Sequence, residues 1–275
     1  MSSAIEALPA LREVIAKHDL AARKSLGQNF LLDLNLTRKI ARAAMPWVAP
    51  AIFEIGPGPG GLTRALLLEG APKVIAVERD ERCLQALASL VDAAEGRLSL
   101  HPGDALEADF AALAPPPWQV VANLPYNIAT PLILGWLAQP QHVRRITVLV
   151  QKEVAERLAA PPGGKAYGRL SVAAQWRHSV RMLFDIGPKA FVPPPKVTST
   201  LVELQPREMP LAEAEPAKLE RVTAAAFNQR RKMLRAALKP LWPDADERLQ
   251  AAGIDPTRRA ETLSIPEFCA LARLL

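Results

Sequence analysis

The chain has 275 residues, of which 49% are hydrophobic and 23% charged, a composition that predicts a folded protein with a large core and excludes a disordered one. The net charge of +6 favours a polyanionic partner, although many basic proteins bind none. No run of about 18 apolar residues occurs and the N-terminus lacks a continuous apolar stretch, so neither a membrane span nor a signal peptide is expected. Cys83 and Cys269 lie far apart in the sequence, which indicates buried thiols of a cytoplasmic protein.

Short apolar strands alternate with helices from residue 51 onward. Strands are predicted at 51–56, 73–78, 97–104, 118–123, 144–150, 180–186 and 198–206. Their nearly continuous apolar character is typical of a parallel sheet that is covered on both faces. The predicted fold class is therefore α/β.

The composition of the sequence changes after Pro206. Residues 207–218 are polar and rich in proline, as in a linker, and short helical segments follow. We expect a helical extension at 1–20 with no evident purpose, an α/β domain at 21–206 and a small all-helical domain at 207–275.

A glycine-rich loop follows the first predicted strand. Gly56, Gly58 and Gly61 satisfy the Gly-x-Gly-x-x-Gly pattern, in which the backbone can approach a nucleotide closely. Pro57 and Pro59 have no N–H group, so the loop lacks two donors that a pyrophosphate would use. The loop therefore favours S-adenosylmethionine, which has a ribose and an adenine but no phosphate, over NAD. NAD and a simple tight turn both remain open.

Two acidic residues end the next two predicted strands. Glu78 stands where a carboxylate can accept hydrogen bonds from both ribose hydroxyls. Asp104 can accept a hydrogen bond from the exocyclic amine of adenine, cap the helix that follows, or do both. Open α/β sheets bind ligands beyond the carboxyl ends of their strands, so we expect both acids in one crevice.

The fourth strand ends in the unusual run Asn123-Leu124-Pro125-Tyr126. Pro125 forces Leu124 into an extended conformation, so the Asn123 side chain and the Leu124 carbonyl can act as two fixed acceptors beside the flat face of Tyr126. An aromatic amine is a weak nucleophile because its lone pair is delocalised. Two acceptors on its N–H groups would favour the pyramidal nitrogen of a methyl-transfer transition state. An Asn-x-Pro turn, with Tyr126 as packing, is the alternative.

Eight segments, in order, resemble the ribosomal RNA adenine dimethylase family, most closely its bacterial small-subunit members. They are KSLGQNFLLD (24–33), EIGPGPGGLT (54–63), GDAL (103–106), NLPYNIATPL (123–132), VQKEVAERL (150–158), KAYGRLSV (165–172), FVPPPKVTS (191–199) and AFNQRRKMLR (226–235). The resemblance implies a Rossmann-like methyltransferase domain with S-adenosylmethionine as its cofactor. It also implies dimethylation at N6 of two adjacent adenosines near the 3′ end of 16S ribosomal RNA in the small ribosomal subunit precursor. We expect a cytoplasmic monomer without a membrane partner and without a metal.

The resemblance also implies roles for individual residues. Phe191 would stack on the target adenine opposite Tyr126, although ordinary packing explains an aromatic residue before three prolines equally well. The implied cofactor contacts are Asn29, Leu31, Gly56, Gly58, Glu78, Asp104 and Asn123.

The segment 221–239 contains six basic residues and no acidic one. Drawn as one helix, it separates a polar side from an apolar side: Asn228, Arg231, Lys232, Arg235 and Lys239 against Val222, Ala226, Met233 and Ala237. The polar side can bind phosphates, with a merely solvated basic face as the alternative. The residues expected to bind RNA are Arg230, Arg231, Lys232 and Arg235.

Other functions are open to different degrees. A large-subunit adenine dimethylase and a DNA N6-adenine methylase share parts of the pattern, and a ribosome-assembly factor could bind RNA without catalysis. An NAD-dependent dehydrogenase would need a hydride-accepting site, for which no candidate stands out. A zinc deaminase is excluded because His-x-Glu and paired cysteines are missing from the sequence.

Overall fold

The computed structural model describes residues 2–23 and 26–275, so Lys24 and Ser25, which open the first family-like segment, lie outside the described residues. The chain divides into two compact units, which are treated separately here. Unit 1 comprises Met1–Lys152 and Arg181–Gln205, and unit 2 comprises Glu153–Val180 and Pro206–Leu275. Residues 153–180, which we expected in the α/β domain, thus pack with the helical C-terminal residues.

The secondary structure follows the predicted alternation of strands and helices. The strands are β1 (Phe30–Leu31), β2 (Ala51–Ile55), β3 (Val74–Glu78), β4 (Leu98–Pro102), β5 (Trp118–Asn123), β6 (Val143–Gln151), β7 (His178–Ile186), β8 (Phe191–Val192) and β9 (Ser199–Pro206). The helices are α1 (Ser2–Glu6), α2 (Leu11–Lys17), α3 (Leu34–Ala43), α4 (Gly61–Leu68), α5 (Glu81–Ala93), α6 (Phe110–Leu113), α7 (Ala129–Leu137), α8 (Lys152–Ala159), α9 (Arg169–Arg177), α10 (Pro216–Asn228), α11 (Leu234–Ala237), α12 (Ala245–Ala251) and α13 (Ile265–Arg273). No helix in these described ranges is long and apolar enough to cross a bilayer.

Seven strands form one sheet in the order β4-β3-β2-β5-β6-β9-β7. The strands β4, β3, β2, β5 and β6 are parallel, and β9 runs antiparallel to β6. The order of the chain reverses between β2 and β5, and at such a point the carboxyl ends of the strands leave a crevice for ligands. The predicted α/β, Rossmann-like fold class is confirmed.

The local sequence explains where the main elements of unit 1 lie. All residues of β2 and β3 are buried, as expected for central strands covered on both faces. Helix α5 begins after Asp80, whose side chain accepts a hydrogen bond from the Arg82 amide, as is typical of an N-cap. Leu66, Leu87 and Leu90 belong to the main core of this unit.

Unit 2 has a hydrophobic core of its own, formed in part by Tyr167, Trp176, Val222 and Phe268. Its last helix, α13, begins with a capping box in which Ser264 and Glu267 exchange hydrogen bonds with each other's backbone. The all-helical C-terminal segment therefore buries apolar surface without using the sheet.

Two predicted helices are wrong in extent. The extension at 1–20 is not one helix but two short ones, α1 and α2, separated around Pro9. The segment 221–239 is also interrupted, because α10 ends at Asn228 and α11 begins only at Leu234. The proposed two-sided helix does not exist, and Met233, placed on its apolar side, is 42% exposed.

Candidate active site

A crevice opens in unit 1 at the carboxyl ends of β2, β3 and β5. It is lined by every residue predicted to bind the cofactor and by the run that ends β5: Asn29, Leu31, Gly56, Gly58, Glu78, Asp104, Asn123, Leu124, Pro125 and Tyr126. The structure thus brings together segments that lie more than 90 residues apart in the sequence. Phe191 is not among these lining residues.

The glycine loop approaches its neighbours too closely for side chains. Gly56, Gly58 and Gly60 have positive φ angles of 65°, 54° and 88°, which glycine adopts without strain. A Cβ on Gly58 would lie 2.8 Å from the Phe30 ring, and one on Gly61 would lie 2.4 Å from the Leu31 carbonyl oxygen. The loop is therefore packed against the segment that contains Asn29 and Leu31.

Glu78 is buried at the tip of β3, and its carboxylate is held by two backbone amides. Its Oε1 accepts from the Asp80 amide at 2.8 Å and its Oε2 from the Gly58 amide at 3.1 Å. Burial raises the pKa of Glu78, and these backbone bonds oppose the rise. The acid expected to bind ribose is thus fixed in place at the crevice wall.

Asp104 has two partners of its own. Its Oδ2 accepts from Arg79 at 3.0 Å and its Oδ1 accepts from the Leu106 amide at 3.0 Å. It caps a turn rather than the following helix, because α6 is capped by Asp109. Asp104 nevertheless lines the crevice and is only partly buried, so a ligand can reach it.

A third acid, Glu54, also lines the crevice and was not singled out from the sequence. It is 1% exposed, its Oε2 has no hydrogen-bond partner among the described residues, and burial raises its pKa to about 8. Among the residues that the structure describes, Arg79 is the one lysine or arginine in the lining, and it is paired with Asp104. Glu78 and Asp104 can accept hydrogen bonds from a ribose and an adenine, whereas a pyrophosphate would face these carboxyl groups, so the residues fit S-adenosylmethionine.

Asn123 lies at the end of β5 with its amide oriented by a hydrogen bond. Its Nδ2 donates to the Asn29 carbonyl oxygen at 3.0 Å, which leaves Oδ1 as the atom that can accept from a substrate. Leu124 follows with its amide bonded to the Leu149 carbonyl, and Pro125 then lines the crevice wall. Asn123 and Leu124 thus line the crevice at the tip of the strand, and their role as acceptors for a substrate stays a prediction.

Tyr126 is half-buried, and its hydroxyl lies 2.7 Å from the Ser199 hydroxyl. Burial raises the pKa of Tyr126, so the phenol stays protonated at neutral pH. Ser199 is the first residue of β9 and pairs with Gln151 across the sheet. Sequence analysis did not identify Ser199, although it closes the segment at 191–199.

The structure does not place the Phe191 ring in the crevice. Phe191 is 2% exposed and belongs to the main core of unit 1, and its backbone pairs with Leu31 in the small sheet of β1 and β8. Stacking on an adenine would require one face of this ring to become uncovered, so this role stays a prediction.

Comparison with known proteins shows the family to which the chain belongs. The model of the family "Ribosomal RNA adenine dimethylase" matches residues 20–275. The chain belongs to this family. It is an S-adenosylmethionine-dependent ribosomal RNA adenine dimethyltransferase, as the crevice and the resemblance predicted.

Curated relatives cover nearly the whole chain. "Ribosomal RNA small subunit methyltransferase A" from Rhodospirillum rubrum is 59% identical over 268 residues, which is 98% of this chain and 93% of the relative. The protein of the same name from Ruegeria pomeroyi is 57% identical over 276 residues, 99% of each chain.

Two solved structures share the fold. A dimethyladenosine transferase from Plasmodium falciparum superposes with a TM-score of 0.75 at 26% identity, covering 87% of this chain and 94% of that one. The 23S rRNA methyltransferase ErmE superposes with a TM-score of 0.69 at 24% identity, covering 89% and 98%, and shows the fold alone.

The basic residues of the dimethyltransferase predicted to bind RNA lie in unit 2 and differ in their surroundings. Arg230 is held in place, since its guanidinium donates to Glu261 Oε2 at 2.8 Å and to the Lys165 carbonyl at 2.7 Å. Arg231, Lys232 and Arg235 are exposed. Arg230 therefore has a structural contact, whereas the other three are available to a polyanion.

A cavity in unit 2 adds basic residues that the sequence did not connect. Besides Arg230 and Arg231 it is lined by Lys165, Arg259, Glu261 and the backbone of Gly163 and Gly164. Lys165 and Arg259 are exposed, and none of the residues described forms an ion pair with either of them. The cationic surface thus extends over three separate segments of unit 2.

Proposed function

We propose that the enzyme transfers methyl groups from S-adenosylmethionine to N6 of two adjacent adenosines in the 3′-terminal hairpin loop of 16S ribosomal RNA. The substrate is a precursor of the small ribosomal subunit and the product contains N6,N6-dimethyladenosine, so the enzyme takes part in subunit biogenesis. The name shared by the relatives, "Ribosomal RNA small subunit methyltransferase A", supports the small subunit over the large one. The proposal includes a cytoplasmic monomer.

The orientation of the Asn123 amide carries the proposal. Because Nδ2 is bonded to the Asn29 carbonyl, Oδ1 accepts a hydrogen bond from the N6 amino group of an adenine that enters the crevice. The Leu124 carbonyl is the second acceptor, and the Tyr126 ring supports the base from one face. Both acceptors interact more strongly with a nitrogen that becomes tetrahedral and positive, so they lower the barrier to methyl transfer.

The cofactor supplies a methyl group on a positively charged sulfur, which is a good leaving group. Glu78 would accept from the ribose hydroxyls, Asp104 from the adenine amine, and Asn29 and Leu31 would form the opposite wall. Positioning of the methyl group in line with the attacking nitrogen accounts for most of the rate acceleration that the hydrogen-bond acceptors do not supply. No side chain has to act as a base, because the attacking nitrogen becomes acidic and its proton can leave to water.

RNA phosphates would bind to the exposed basic residues of unit 2. Lys165, Arg231 and Arg259 line one cavity there, and Lys232 and Arg235 belong to the same basic segment as Arg231. Contacts of this kind give affinity without sequence specificity and weaken as salt is added. The adenosine to be modified must leave its stack, which costs least in a single-stranded loop.

The proposal is tested by incubating the enzyme with radiolabelled S-adenosylmethionine and small-subunit particles that lack the modification, followed by mapping of the labelled nucleotides. We expect label on two adjacent adenosines of the 3′-terminal loop. Label on large-subunit RNA or on DNA would contradict the substrate assignment.

An Asn123→Ala variant distinguishes catalysis from mere binding. The variant should still bind the particles, since Asn123 lies in unit 1 and far in sequence from the basic residues, but it should lose methyl transfer. A protein that acts only as an RNA-binding assembly factor would show no difference between the variant and the wild type.

A further inference from the structure

The N-terminal segment, residues 4–21, is packed onto the body of unit 1. Ile5 is fully buried in the main core of that unit. Val14 and Leu20 are also buried and pack with Cys83 of α5 in a small cluster of their own. The segment is therefore an integral part of the structure rather than an appendage.

Two arginines bind carbonyl oxygens of this segment. Arg64 of α4 donates through Nη1 to the Pro9 carbonyl at 2.9 Å. Arg82 of α5 donates to the Asp19 and Ala21 carbonyls, each at 3.3 Å. The helices α4 and α5 begin directly after two of the loops that line the crevice, so the N-terminal segment is attached near the start of both.

Arg82 also binds Asp80, an acid that is hydrogen-bonded to Gln28 of the crevice wall. Its Nη2 lies 2.7 Å from Asp80 Oδ2 and its Nε lies 3.0 Å from Asp80 Oδ1. This guanidinium holds the pKa of Asp80 down to about 2, so the acid is charged at any working pH. Asp80 also accepts a bond from Gln28 Nε2 at 3.1 Å, and Gln28 Oε1 accepts from the Arg23 amide at 2.8 Å.

Asp80 is also hydrogen-bonded to Glu78, the acid that we expect to bind the ribose. The Asp80 amide donates to Glu78 Oε1 at 2.8 Å, so Asp80 stands between Glu78 and both Arg82 and Gln28. Gln28 belongs to the crevice wall at residues 26–31, whereas Arg82 does not line the crevice. A change at Arg82 can therefore affect the cofactor through Asp80 and the N-terminal segment rather than by direct contact.

We propose that Arg82 is a positioning residue for the cofactor. By binding Asp80 and the carbonyls of Asp19 and Ala21 at once, it holds the N-terminal segment, and with it the crevice wall at 26–31, against the loop that carries Glu78. The inference rests on the assignment of the crevice to S-adenosylmethionine, and it gives the N-terminal extension a purpose.

The test compares Arg82→Ala with the wild type in the full-length enzyme. We expect the Kd for S-adenosylhomocysteine, measured by isothermal titration calorimetry, and the KM for S-adenosylmethionine each to rise about tenfold, with kcat within about threefold of the wild type. Arg82→Lys keeps the charge but loses the fork of donors, and should raise both constants about threefold. Arg42→Ala, which breaks another arginine–carboxylate pair of unit 1, the one with Glu69, is the matched control and should change neither constant.

Hydrogen exchange gives a readout that does not depend on activity. The amides of residues 26–31 should exchange faster in Arg82→Ala than in the wild type, while those of β2 stay protected. Unchanged affinity and unchanged exchange would overturn the inference, as would a loss confined to kcat. If Arg82→Ala does not fold, unchanged constants in Arg82→Lys overturn it. A wild-type enzyme that binds no cofactor would overturn the crevice assignment as well, whereas equal affinities in both proteins overturn only the role of Arg82.

Discussion

The side-chain amide of Asn123 donates a hydrogen bond to the backbone carbonyl of Asn29, 3.0 Å away. This bond restrains the rotamer of Asn123 and joins the run at 123–126, which we propose to be catalytic, to the crevice wall at Asn29. Because one end of the amide is occupied, the other end is assigned to the substrate, and the following prediction uses that assignment.

Asn123→Ala should lower kcat by about 100- to 1000-fold, the range found when a transition-state hydrogen-bonding group is removed. The affinity for small-subunit particles should stay within about threefold. Asn123→Asp loses the donor to Asn29 but keeps an acceptor oxygen for the substrate, so it should retain more activity than Asn123→Ala. Single-turnover methylation with each variant gives the comparison, and equal rates for wild type and alanine variant would contradict the mechanism.

Tyr126→Phe and Ser199→Ala each remove one of two hydroxyls that lie 2.7 Å apart. We expect each change to lower kcat/KM for the RNA by roughly three- to tenfold, because the ring stays but its tilt is less restrained. Since both act on one contact, the double variant should be no worse than either single one. Tyr126→Ala, which removes the ring, should lose much more. Additive effects of the two hydroxyls would show that they act independently.

Glu54→Gln should change how stability depends on pH. Burial raises the pKa of Glu54 to about 8, above its ordinary value of 4.5, so the folded enzyme binds a proton that the unfolded chain releases. The stability present below pH 4.5 is therefore lost as the pH rises to about 8, by roughly 3–5 kcal/mol. Glutamine does not titrate, so the variant does not lose this stability as the pH rises. In thermal melts without cofactor, its Tm should exceed that of the wild type at pH 8.5 and match it near pH 4.5.

His178→Leu should have the opposite pH signature. His178 is fully buried, neither ring nitrogen has a partner among the described residues, and burial lowers its pKa to about 4. The unfolded chain binds a proton at pH 6.5 that the folded one excludes, so stability falls as the pH drops from 6.5 to 4. The variant should raise the Tm at pH 5 more than at pH 8. An equal rise in Tm at pH 5 and pH 8 would mean that the effect of the substitution comes from packing and not from titration of His178.

Arg231→Ala and Arg230→Ala form a matched pair. Arg231 is exposed, so its removal should reduce the slope of log K for RNA against log salt by about one and leave the Tm unchanged. Arg230 is bonded to Glu261 and to the Lys165 carbonyl, so its removal should lower the Tm. Filter binding at several salt concentrations and melting curves separate the two roles. A lower Tm for Arg231→Ala would contradict this division.

Much of the fold was predictable because its signals are local. β5 has the predicted bounds, 118–123, because prolines precede it and Leu124 and Pro125 follow it directly. The crevice was predictable for a similar reason: parallel strands place their carboxyl ends together, so residues that end separate strands must meet. Only Phe191 among the predicted unit 1 residues does not line it.

The features that the sequence did not reveal depend on contacts between distant segments. The helix predicted through 221–239 stops because the amides of Leu234 and Arg235 donate to the carbonyls of Arg258 and Pro256, far along the chain. Such tertiary bonds override helix propensity. Ser199 was missed likewise, since its partner Tyr126 lies 73 residues away.

Because helix α10 is separated from α11, the basic segment can accept insertions and deletions that a continuous helix could not. One added residue inside a helix turns everything after it by about 100° and would swing Leu234 and Ala237 out of their buried positions. In the break, Leu234 is anchored by its own bond to Arg258, so a length change next to Lys232 alters only the local path of the chain. The enzyme can therefore change the reach and direction of its cations through insertions or deletions there without repacking its helical core.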